Sequence, residues 1–493
     1  MLRRRSLRLL AWSCLAMALA CRTSATTTNP NPPLGDGGPP HHGGGNPAYC
    51  GLDAAAFCDN FDQGPTATPG REGDLDPSQW SAGRLSPQEI SGPGKANPAP
   101  PAQIPPCRAS LNKTTVYPDE DTLICDPTNT QSAQLLTAVA MQNYGVNSYR
   151  IRQPFDFAGR TGKIVFDVDA VMVSGLAAWV SVEVTEDPIP APSFLDYERG
   201  PLPRNGMEIQ FNNDYCARYR PGSISVGRVD AYGNYALTPV TPVYPPDWTV
   251  PDCVATQQGN LNHFEIRISQ TNFEVLGSEA SPDGGKSFPN FHTIASGTFN
   301  LAFTRGYVHI TARNHATVKY GFGPNWVYHW DNVAFDGPVI SNWLEYEVPD
   351  SLTPSGTNVN TGYIITEHDG MFTCCPNQRV ATLALPSVDL TGAVRAQLAF
   401  NSFYLNCCGA PNDLTTLNLR YRFNAGTWRD RFVTPAEADV LRRPYSQGDL
   451  AQIIEVPLGD LVPGTNTLEF LTVNEPQSYP TVLANIDLII QTN

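Results

Sequence analysis

The sequence predicts an all-β fold of two successive sandwiches. From about residue 50 onward, segments with alternating apolar and polar residues follow one another, and β-branched and aromatic residues are frequent in them. Clusters of Gly, Pro, Asn and Asp separate these segments and predict turns. A helical pattern of useful length first occurs in TPAEADVLRR (434–443). The length of 493 residues favours more than one domain.

The predicted strands form two groups, which we assign to domains at 48–338 and 339–493. A domain of the second length suits a single sandwich. The first group is KIVFDVDAVMV, AAWVSVEV, GMEIQFN, HFEIRISQTNFEVL, TFNLAFT, YVHITARNH and WVYHWDNVAF. The second group is WLEYEV, VATLALPSVDL, VRAQLAFNSFYL, TTLNLRYRF, IIEVPL, NTLEFLTV and TVLANIDLII.

Residues 1–21 have the pattern of an export signal. Three arginines at positions 3–5 precede a short apolar stretch, residues 7–20, that is too short to span a bilayer. The stretch ends in ALAC, which resembles the lipobox of bacterial lipoproteins. This resemblance implies that Cys21 is lipidated and that the protein is held at the cell envelope, at the outer membrane or cell surface. Plain signal cleavage is the alternative, because Ala18 stands where leucine is usual.

Residues 22–47, RTSATTTNPNPPLGDGGPPHHGGGNP, lack the apolar residues of a core and predict a disordered tether. The net charge of −15 and the lack of Lys/Arg-rich blocks beyond the signal argue against nucleic acid as a partner. No later segment has the length of an apolar membrane span. We therefore expect the lipid to be the sole membrane attachment.

Ten cysteines follow the tether, and an even number in an exported chain predicts disulfides. Pairing of neighbours gives bridges 50–58, 107–125 and 216–253, whereas the last four cysteines allow three connectivities. A four-thiolate zinc site is the alternative for these four, but structural zinc sites favour ligands two to four residues apart. The ten are Cys50, Cys58, Cys107, Cys125, Cys216, Cys253, Cys374, Cys375, Cys407 and Cys408.

Segments at both ends of the first domain resemble the concanavalin A-like glucanase sandwiches. FCDNFDQG (57–64) followed by LDPSQW (75–80) is similar to the opening of that family. HWDNVAFDGP (329–338) is similar to its closing strand, and YRIRQPFDFAGRTGKIVFDVD (149–169) to the entry into its first long strand. The resemblance implies a large jelly-roll sandwich with a concave face that accommodates sugar.

The resemblance also implies a metal ligand on the closing strand. An aspartate of that strand often binds a structural calcium in the family, and Asp331 stands at its position. Backbone carbonyls near residues 59–62 would complete an oxygen shell. The alternative is that Asp331 and Asn332 bind a neighbouring loop through hydrogen bonds.

The acidic segment WVSVEVTE (179–186) is the candidate catalytic strand. Family 16 glycoside hydrolases carry E-x-D-x-x-E on one strand of the concave face, just after a tryptophan. On that template Ser181 occupies the nucleophile position, Glu183 the modulator position and Glu186 the acid/base position. A serine does not replace the carboxylate without a general base of its own, so the resemblance implies a sandwich that no longer cleaves sugar.

If the chain is an enzyme, Glu183 and Glu186 are the candidate catalytic pair. They point to opposite faces of a regular strand, so only a bulge would bring both to one side. Glu208 in GMEIQF or Glu265 in HFEIRIS could instead approach Glu183 across a sheet.

Sugar binding needs aromatic faces for stacking and amide, carboxylate or guanidinium groups for hydroxyls. The candidate residues are Trp179, Gln210, Arg267, Trp326 and Trp330. The two tryptophans of the closing strand share one parity, so they line either a groove or the core of the sandwich.

In the second domain, the segments IIEVPLGDLVPGTNTLEFLTVN and TVLANIDLII are similar to the closing strands of galactose-binding-like accessory sandwiches. The sequence thus predicts a surface-anchored lipoprotein that binds polysaccharide or glycoconjugate on the concave face of its first sandwich. The alternatives are a diverged retaining glycoside hydrolase and an envelope scaffold that binds protein partners.

Overall fold

Two pairs of β-sheets make up the described part of the chain in this computed structural model. The described residues are 50, 52, 55–62, 72, 74–85, 110–113, 121–125, 143–172, 178–188, 205–213, 223–229, 235–240, 262–277, 292–316, 326–348, 357–358, 363–365, 380–403, 411–442, 450–473 and 482–493. The side chains of some strand residues within these ranges also lie outside the description. The described residues between 50 and 493 belong to one compact unit.

The first sandwich contains the strands between residues 57 and 335. They are β1 (Phe57–Asp59), β2 (Trp80–Leu85), β3 (Ser110–Lys113), β4 (Asp121–Cys125), β5 (Asn143–Ile151), β6 (Phe155–Asp156), β7 (Gly162–Met172), β8 (Ala178–Thr185), β9 (Gly206–Asn213), β10 (Ser223–Val229), β11 (Tyr235–Val240), β12 (Asn262–Ile268), β13 (Asn272–Gly277), β14 (His292–Thr298), β15 (Arg305–Ala316) and β16 (Trp326–Phe335).

These strands form two eight-stranded antiparallel sheets, which we call the back sheet and the front sheet. The back sheet has the order β14-β13-β12-β7-β16-β4-β3, with β1 paired to β16. The front sheet has the order β11-β10-β9-β8-β15-β5-β2, with β6 paired to β15. Consecutive strands therefore pair as hairpins in places, while β7 and β8 lie in different sheets.

The core of the first sandwich lies between the two sheets. Alternate residues of each strand point inward, because side chains alternate between faces with period 2. Phe166 of the back sheet meets Phe211 of the front sheet with ring centroids 5.8 Å apart. Trp330 is completely buried in the same cluster, 5.4 Å from the ring of Phe166. The inward rows of both sheets thus form one hydrophobic core.

The second sandwich contains the strands after residue 343 and a short helix. They are β17 (Trp343–Glu347), β18 (Thr357–Asn358), β19 (Tyr363–Ile365), β20 (Ala381–Val388), β21 (Ala393–Phe403), β22 (Asn418–Phe423), α1 (Pro435–Leu441), β23 (Leu450–Val456), β24 (Gly464–Val473) and β25 (Val482–Thr492). One sheet has the order β18-β19-β25-β21-β23 with β17 on β25, and the other has the order β20-β24-β22. Phe400 and Phe470 join these two sheets with ring centroids 5.3 Å apart. The all-β prediction is confirmed.

Local sequence explains where the helix α1 begins. The backbone N–H of Thr434 donates to Glu437 Oε2 at 2.8 Å, and the N–H of Glu437 donates to Thr434 Oγ1 at 3.2 Å. This reciprocal pair is a capping box, which satisfies two of the N–H groups that a helix start leaves unpaired. The helix predicted at 434–443 is thus present at Pro435–Leu441. No helix among the described residues is long and apolar enough to cross a membrane.

The segment predicted as the strand TFNLAFT (298–304) is irregular instead. β14 ends at Thr298, yet Phe299, Leu301 and Phe303 are buried in the core. The backbone N–H groups of Phe299 and Leu301 donate to the carbonyls of Thr271 and Gln270, and no sheet ladder continues there. The alternating apolar residues of this segment are buried as predicted, but they belong to a loop that packs on the core and not to a strand.

One predicted bridge lies within the description, and it is present. Cys50 and Cys58 form a disulfide, and Cys50 packs against Val165 and Ala334 on the outer side of the back sheet. The expected signal (1–21), the tether (22–47) and the side chain of Cys125 lie outside the described residues. The remaining predicted cysteines also lie outside them: Cys21, Cys107, Cys216, Cys253, Cys374, Cys375, Cys407 and Cys408.

Candidate functional site

The front sheet carries polar side chains on the face that does not contact the core. On β8, Val182 and Val184 point into the core, so Ser181 and Glu183 point to the opposite face. Directly paired residues on neighbouring strands share a face, which extends the set across the sheet. We call this set the polar face: Ser81, Ser148, Arg150, Ser181, Glu183, Thr185, Glu208, Gln210, His309 and Thr311.

Every residue of the polar face is buried, with at most 2% of its surface exposed. One row runs straight across the strands because the register pairs its members in turn. From the edge strand β2 inward, this row is Ser81, Arg150, His309, Glu183 and Glu208. The row therefore combines hydroxyl, guanidinium, imidazole and carboxyl groups within five adjacent strands.

His309 lies at the centre of this row and is held by two hydroxyl groups. Its Nδ1 lies 3.0 Å from Ser148 Oγ, and its Nε2 lies 2.9 Å from Thr185 Oγ1. Burial, together with the positive charge of Arg150, holds the pKa of His309 well below its usual value. The imidazole is therefore neutral near pH 7, and it donates one hydrogen bond and accepts another.

Two carboxylates lie side by side on the polar face, but they are not the predicted pair. The register places Glu183 directly opposite Glu208, and Ser181 Oγ donates to Glu183 Oε1 at 3.3 Å. β8 ends at Thr185 with unbroken pairing on both sides, so no bulge turns Glu186 to this face. Glu186 is exposed beyond the strand, where Asn205 Nδ2 donates to its carboxylate.

Glu208 is thus the partner that the sequence offered as an alternative, while Glu265 is not. Glu265 lies on β12 in the back sheet, where it forms an ion pair with Arg267 at 2.6 Å. The carboxylates that lie side by side are therefore Glu183 and Glu208, and not Glu183 and Glu186. The sequence did not fix this choice because strand register between segments separated by a long connection cannot be read from alternation alone.

The five predicted sugar-binding residues do not form one site. Gln210 lies on the polar face, and its Nε2 has no hydrogen-bond partner among the described residues. Trp330 is completely buried in the core, which is one of the two placements that its parity allowed, and it therefore offers no face for sugar. Arg267 was also misplaced, because it lies in the back sheet and forms ion pairs with Glu265 and Glu274.

The other two predicted aromatic residues are known by their backbone positions alone. Trp179 lies on β8 in the front sheet opposite Arg313, and Trp326 lies on β16 in the back sheet opposite Met172. The side chains of both tryptophans lie outside the described part of the chain. Trp179 therefore shares a sheet with Gln210, whereas Trp326 belongs to the other layer.

Asp331 lies on the outer side of the back sheet, directly opposite Asp167 on β7. Asp331 Oδ1 accepts the backbone N–H of Asn332 at 2.8 Å. Asn332 Nδ2 donates to Asp167 Oδ2 at 3.0 Å, and His263 Nδ1 lies 2.5 Å from Asp167 Oδ1. A bulge follows Asp331, and Asn332 has a positive φ of 49° at this point. Two buried carboxylates therefore face each other at the position expected for calcium.

Asp59, in the segment expected to complete that calcium shell, turns its side chain the other way. It pairs with Val333, whose side chain points into the core, and its carboxylate accepts Trp80 Nε1 at 2.6 Å and the Phe61 N–H at 2.7 Å. Burial raises the pKa of Asp59 to about 6 in spite of these hydrogen bonds. The carboxylates of Asp59 and Asp331 thus lie on opposite faces of one sheet.

The second sandwich reaches the polar face at its β2 edge. Arg150 forms a buried ion pair with Glu345 of β17, and Ser81 Oγ lies 2.9 Å from Glu345 Oε1 and 2.6 Å from Glu347 Oε1, so its one proton is shared between the two carboxylates. Arg152 lies 3.1 Å from Glu347 and 3.3 Å from Glu72. Burial alone would lower the pKa of Arg152, but Glu345, Glu347 and Glu72 raise it.

Three carboxylates of the second sandwich meet at this contact. The ligand atoms of Glu345, Glu347 and Asp487 lie within 4.8 Å of one another, a spacing at which they could hold a metal ion. Arg150 and Arg152 already supply two positive charges there. This cluster was not predictable from the sequence, because nothing in the local pattern links β17 or β25 to the strands of the first domain.

Among known proteins, no family model matches the chain, and no curated protein matches it. Solved structures that resemble it include the Emp47p carbohydrate recognition domain, at 11% identity and a TM-score of 0.27 over 58% of this chain and 100% of that chain. A legume lectin-like domain from Entamoeba histolytica matches at 9% identity and a TM-score of 0.29, over 52% of this chain and 89% of that chain. Lectin II from Ulex europaeus matches at 11% identity and a TM-score of 0.27, over 52% of this chain and 98% of that chain.

Proposed function

We propose that the protein binds polysaccharide or glycoconjugate through the polar face of its front sheet. The supporting observation is the concentration of amide, carboxyl, guanidinium, imidazole and hydroxyl groups on that face. These groups pair with sugar hydroxyls, and the charged ones form the stronger hydrogen bonds. Stability alone favours apolar residues at buried positions, because burial of polar groups costs free energy unless they are fully paired. A binding surface accounts for the set better than core packing does.

Access to this face requires a conformational change. The polar side chains are at most 2% exposed in this structure, so a sugar contacts them only after the face opens. Binding that requires such a change is slower than the usual range of about 10⁵–10⁷ M⁻¹s⁻¹. Slow association measured by surface plasmon resonance would agree with this mode of binding.

Native affinity electrophoresis of the full-length protein tests the proposal. Gels that contain different polysaccharides should retard the protein without a cleared zone in the stained polymer. Gln210→Ala should raise the Kd obtained from the retardation about tenfold, because the loss of one hydrogen bond costs about 1 kcal/mol or slightly more. Gln397→Ala is the control, since Gln397 lies on the second sandwich and binds Glu455. Free migration in every gel would instead favour a scaffold that binds protein partners.

A second candidate function is retaining glycoside hydrolysis, and the Glu183–Glu208 pair favours it. Side chains directly opposite on neighbouring strands have Cβ atoms about 4.5–5.5 Å apart. Retaining enzymes place their two carboxyl groups about 5–5.5 Å apart, one as nucleophile and one as acid/base. A cleared zone in the gel that Glu208→Gln abolishes and Glu186→Gln preserves would establish this activity. Retardation without clearing would leave binding as the function.

We also propose that the chain is exported and held at the cell envelope through a lipid on Cys21. The support is the sequence pattern of residues 1–21, with its arginines, short apolar stretch and ALAC ending. Metabolic labelling with an alkyne fatty acid should mark the wild-type protein and leave Cys21→Ser unmarked. Equal labelling of both would reject the lipid site, and absence of the protein from the membrane fraction would reject the location.

A structural calcium ion at Asp331 is a further part of the proposal. Asp167, directly opposite Asp331, is the second carboxylate that would hold it, and oxygen ligands of this type suit calcium. EDTA should lower the melting temperature of the wild type and leave that of Asp331→Asn unchanged. A wild-type melting temperature that EDTA does not change would contradict the proposed calcium site.

A further inference from the structure

The smaller sheet of the second sandwich, β20-β24-β22, carries aromatic and charged side chains together on its outer side. We infer that this side binds a chain of neutral polysaccharide. The inference concerns the second sandwich, so it adds a binding site to the polar face proposed on the first sandwich and stands apart from it.

One side of this sheet packs on the core of the second sandwich. Leu383 of β20, Phe470 of β24 and Tyr421 of β22 are buried in that core. The residues that alternate with them point away from the core, because side chains of a strand alternate between its two faces. The strands contribute to this side Thr382, Ala384, Thr467, Glu469, Leu471, Arg420 and Arg422.

The segment 428–432 runs antiparallel beside β22 and extends this side of the sheet. Two isolated bridges join the segment to β22 in one register. The N–H of Arg429 donates to the carbonyl of Tyr421 at 2.8 Å, and the N–H of Tyr421 donates to that of Arg429 at 3.0 Å. Arg429 therefore shares the inward side with Tyr421, and its alternate neighbours point outward. We call the outward residues of the sheet together with Trp428, Asp430 and Phe432 the outer face.

The centre of the outer face consists of two ion pairs and a stacked ring. Arg422 Cζ lies 4.5 Å from the centroid of the Trp428 ring, a distance at which the cation is attracted to the ring. Arg422 also donates to Glu469 through Nε and Nη2, at 2.6 and 3.1 Å. Arg420 Nε lies 2.8 Å from Asp430 Oδ1. Each of these two cations is thus matched by an anion.

The two arginines have more donors than these contacts use. Each guanidinium carries five N–H donors, and Arg422 uses two nitrogens for Glu469. Within the described part of the chain, Nη1 and Nη2 of Arg420 make no hydrogen bond. The side chains of Arg420 and Arg422 are 33% and 25% exposed. Their remaining donors can therefore bind oxygen atoms of a ligand on this face.

Aromatic residues flank the ion pairs along the segment 428–432. Trp428 and Phe432 are four positions apart on one side of an extended segment, which places them roughly 13 Å from each other. Phe432 is 51% exposed, although burial of a large apolar side chain is favourable. Two ring contacts at this separation suit a chain of several sugars, whose apolar C–H faces can pack on them.

The charge balance of the outer face limits the kind of partner. The net charge of the chain is −15, so acidic polymers are repelled, and a basic partner meets carboxylates that already pair with arginines. The cores of protein–protein interfaces are depleted of charged residues, whereas here ion pairs lie between the two aromatic positions. A neutral polysaccharide fits both features, because its hydroxyl groups accept from guanidinium groups and its rings pack on aromatic ones.

Native affinity electrophoresis of full-length variants tests this inference. The gels contain β-1,3-glucan, xylan, mannan, galactan or dextran, with alginate as an acidic comparison. In the neutral polymer that retards the wild type, Trp428→Ala and Phe432→Ala should each raise the Kd about tenfold through the loss of one aromatic contact. Val394→Ala is the control, because Val394 is 49% exposed but lies on β21 in the other sheet, and its Kd should match the wild type.

The variants separate this inference from the proposed role of the polar face. Wild-type retardation of folded Trp428→Ala and Phe432→Ala would overturn the outer face as a binding site and leave the polar face standing. Weaker retardation of these two variants, with Gln210→Ala unchanged, would support the outer face and count against the polar face. Free migration in every neutral gel would overturn both. If Trp428→Ala does not fold, Phe432→Ala still decides, because the exposed Phe432 side chain is not part of the buried core.

Discussion

Asp59 shows how burial changes the chemistry of a single residue next to the core. Its pKa is raised from 3.8 to about 6, so the folded chain binds a proton that the unfolded chain releases between these values. Stability therefore falls as pH rises through this window, by about 1.4 kcal/mol for each pKa unit. The hydrogen bonds from Trp80 and Phe61 limit the effect without reversing it.

Replacement of Asp59 by asparagine should remove this pH dependence. We expect the stability of Asp59→Asn relative to the wild type to improve by about 2 kcal/mol between pH 4 and pH 7. The amide still presents one acceptor, so the variant should fold. Urea unfolding at a series of pH values measures the difference, and a difference that does not change with pH would contradict the assigned cause.

At the residue scale the sequence predicted part of the site. Ser181, Glu183 and Gln210 were placed correctly on strands with a polar side, since alternation alone decides which residues share a face. For Trp330 the choice between groove and core stayed open, because parity does not reveal which face becomes the core, and the structure places it in the core. Arg267 was grouped with Gln210 because alternation does not show which strands belong to the same sheet.

Among the elements, β17 contacts the β2 edge of the polar face through buried charged groups. Its Glu345 neutralises Arg150, and both side chains are buried. Removal of one member of a buried ion pair leaves the other charge without compensation, which costs about 3–5 kcal/mol. Exposed pairs contribute less, about 1 kcal/mol or below.

Glu345→Ala should accordingly destabilise the protein by about 3–5 kcal/mol. Glu455→Ala is the matched control, because Glu455 pairs with Arg395 while their side chains are 59% and 46% exposed. The control should lose less than about 1 kcal/mol. Guanidinium unfolding measures both, and equal losses would show that the Arg150–Glu345 contact is not the buried support described here.

The strand β15 depends on a glycine at the point where it passes β8. A Cβ at Gly306 would overlap the carbonyl oxygen of Thr185 and come within 2.9 Å of the Phe303 ring. Gly306→Ala should cost about 1–3 kcal/mol through overpacking. Gly459→Ala, with open space around it, should change stability by much less. Thermal unfolding of the two variants compares them, and similar melting temperatures would argue against close packing at Gly306.

Element prediction from the sequence was successful where alternation, turns and caps agreed. β7, β8 and β9 lie where the alternating segments predicted them, and α1 begins at its capping box. The strand prediction for TFNLAFT was wrong because apolar residues can alternate in a buried loop as they do in a strand. The contact of β17 with β5 was not predictable, since it depends on tertiary placement.

In the whole molecule, the ion pairs between the two sandwiches link their stabilities. A buried contact that is lost when either sandwich unfolds makes the two unfold together. Calorimetry of the wild type should therefore show one transition. Glu345→Ala should separate it into two, and two transitions already in the wild type would mean that the sandwiches are independent.

The two-sandwich architecture was predictable from the spacing of strands and turns, because each sandwich has its own hydrophobic core. The arrangement that joins them was not, because it depends on a few charged residues on distant strands. Arg150 and Glu345 carry no pattern in the sequence that marks them as partners. Long-range electrostatic pairing is read from structure, whereas periodicity is read from sequence.

The position of β25 in the chain has a consequence for biogenesis. β25 follows the other described strands in the chain, and it pairs with β17, β19 and β21. Domains near the N-terminus generally fold first as a chain emerges, so the first sandwich can assemble before β25 is made. In a nascent chain halted before β25, β17 would lack the strand it pairs with, so Glu345 would not be held in place against Arg150. Such an intermediate is marginally stable, which gives proteases and chaperones a physical means to separate unfinished molecules from finished ones.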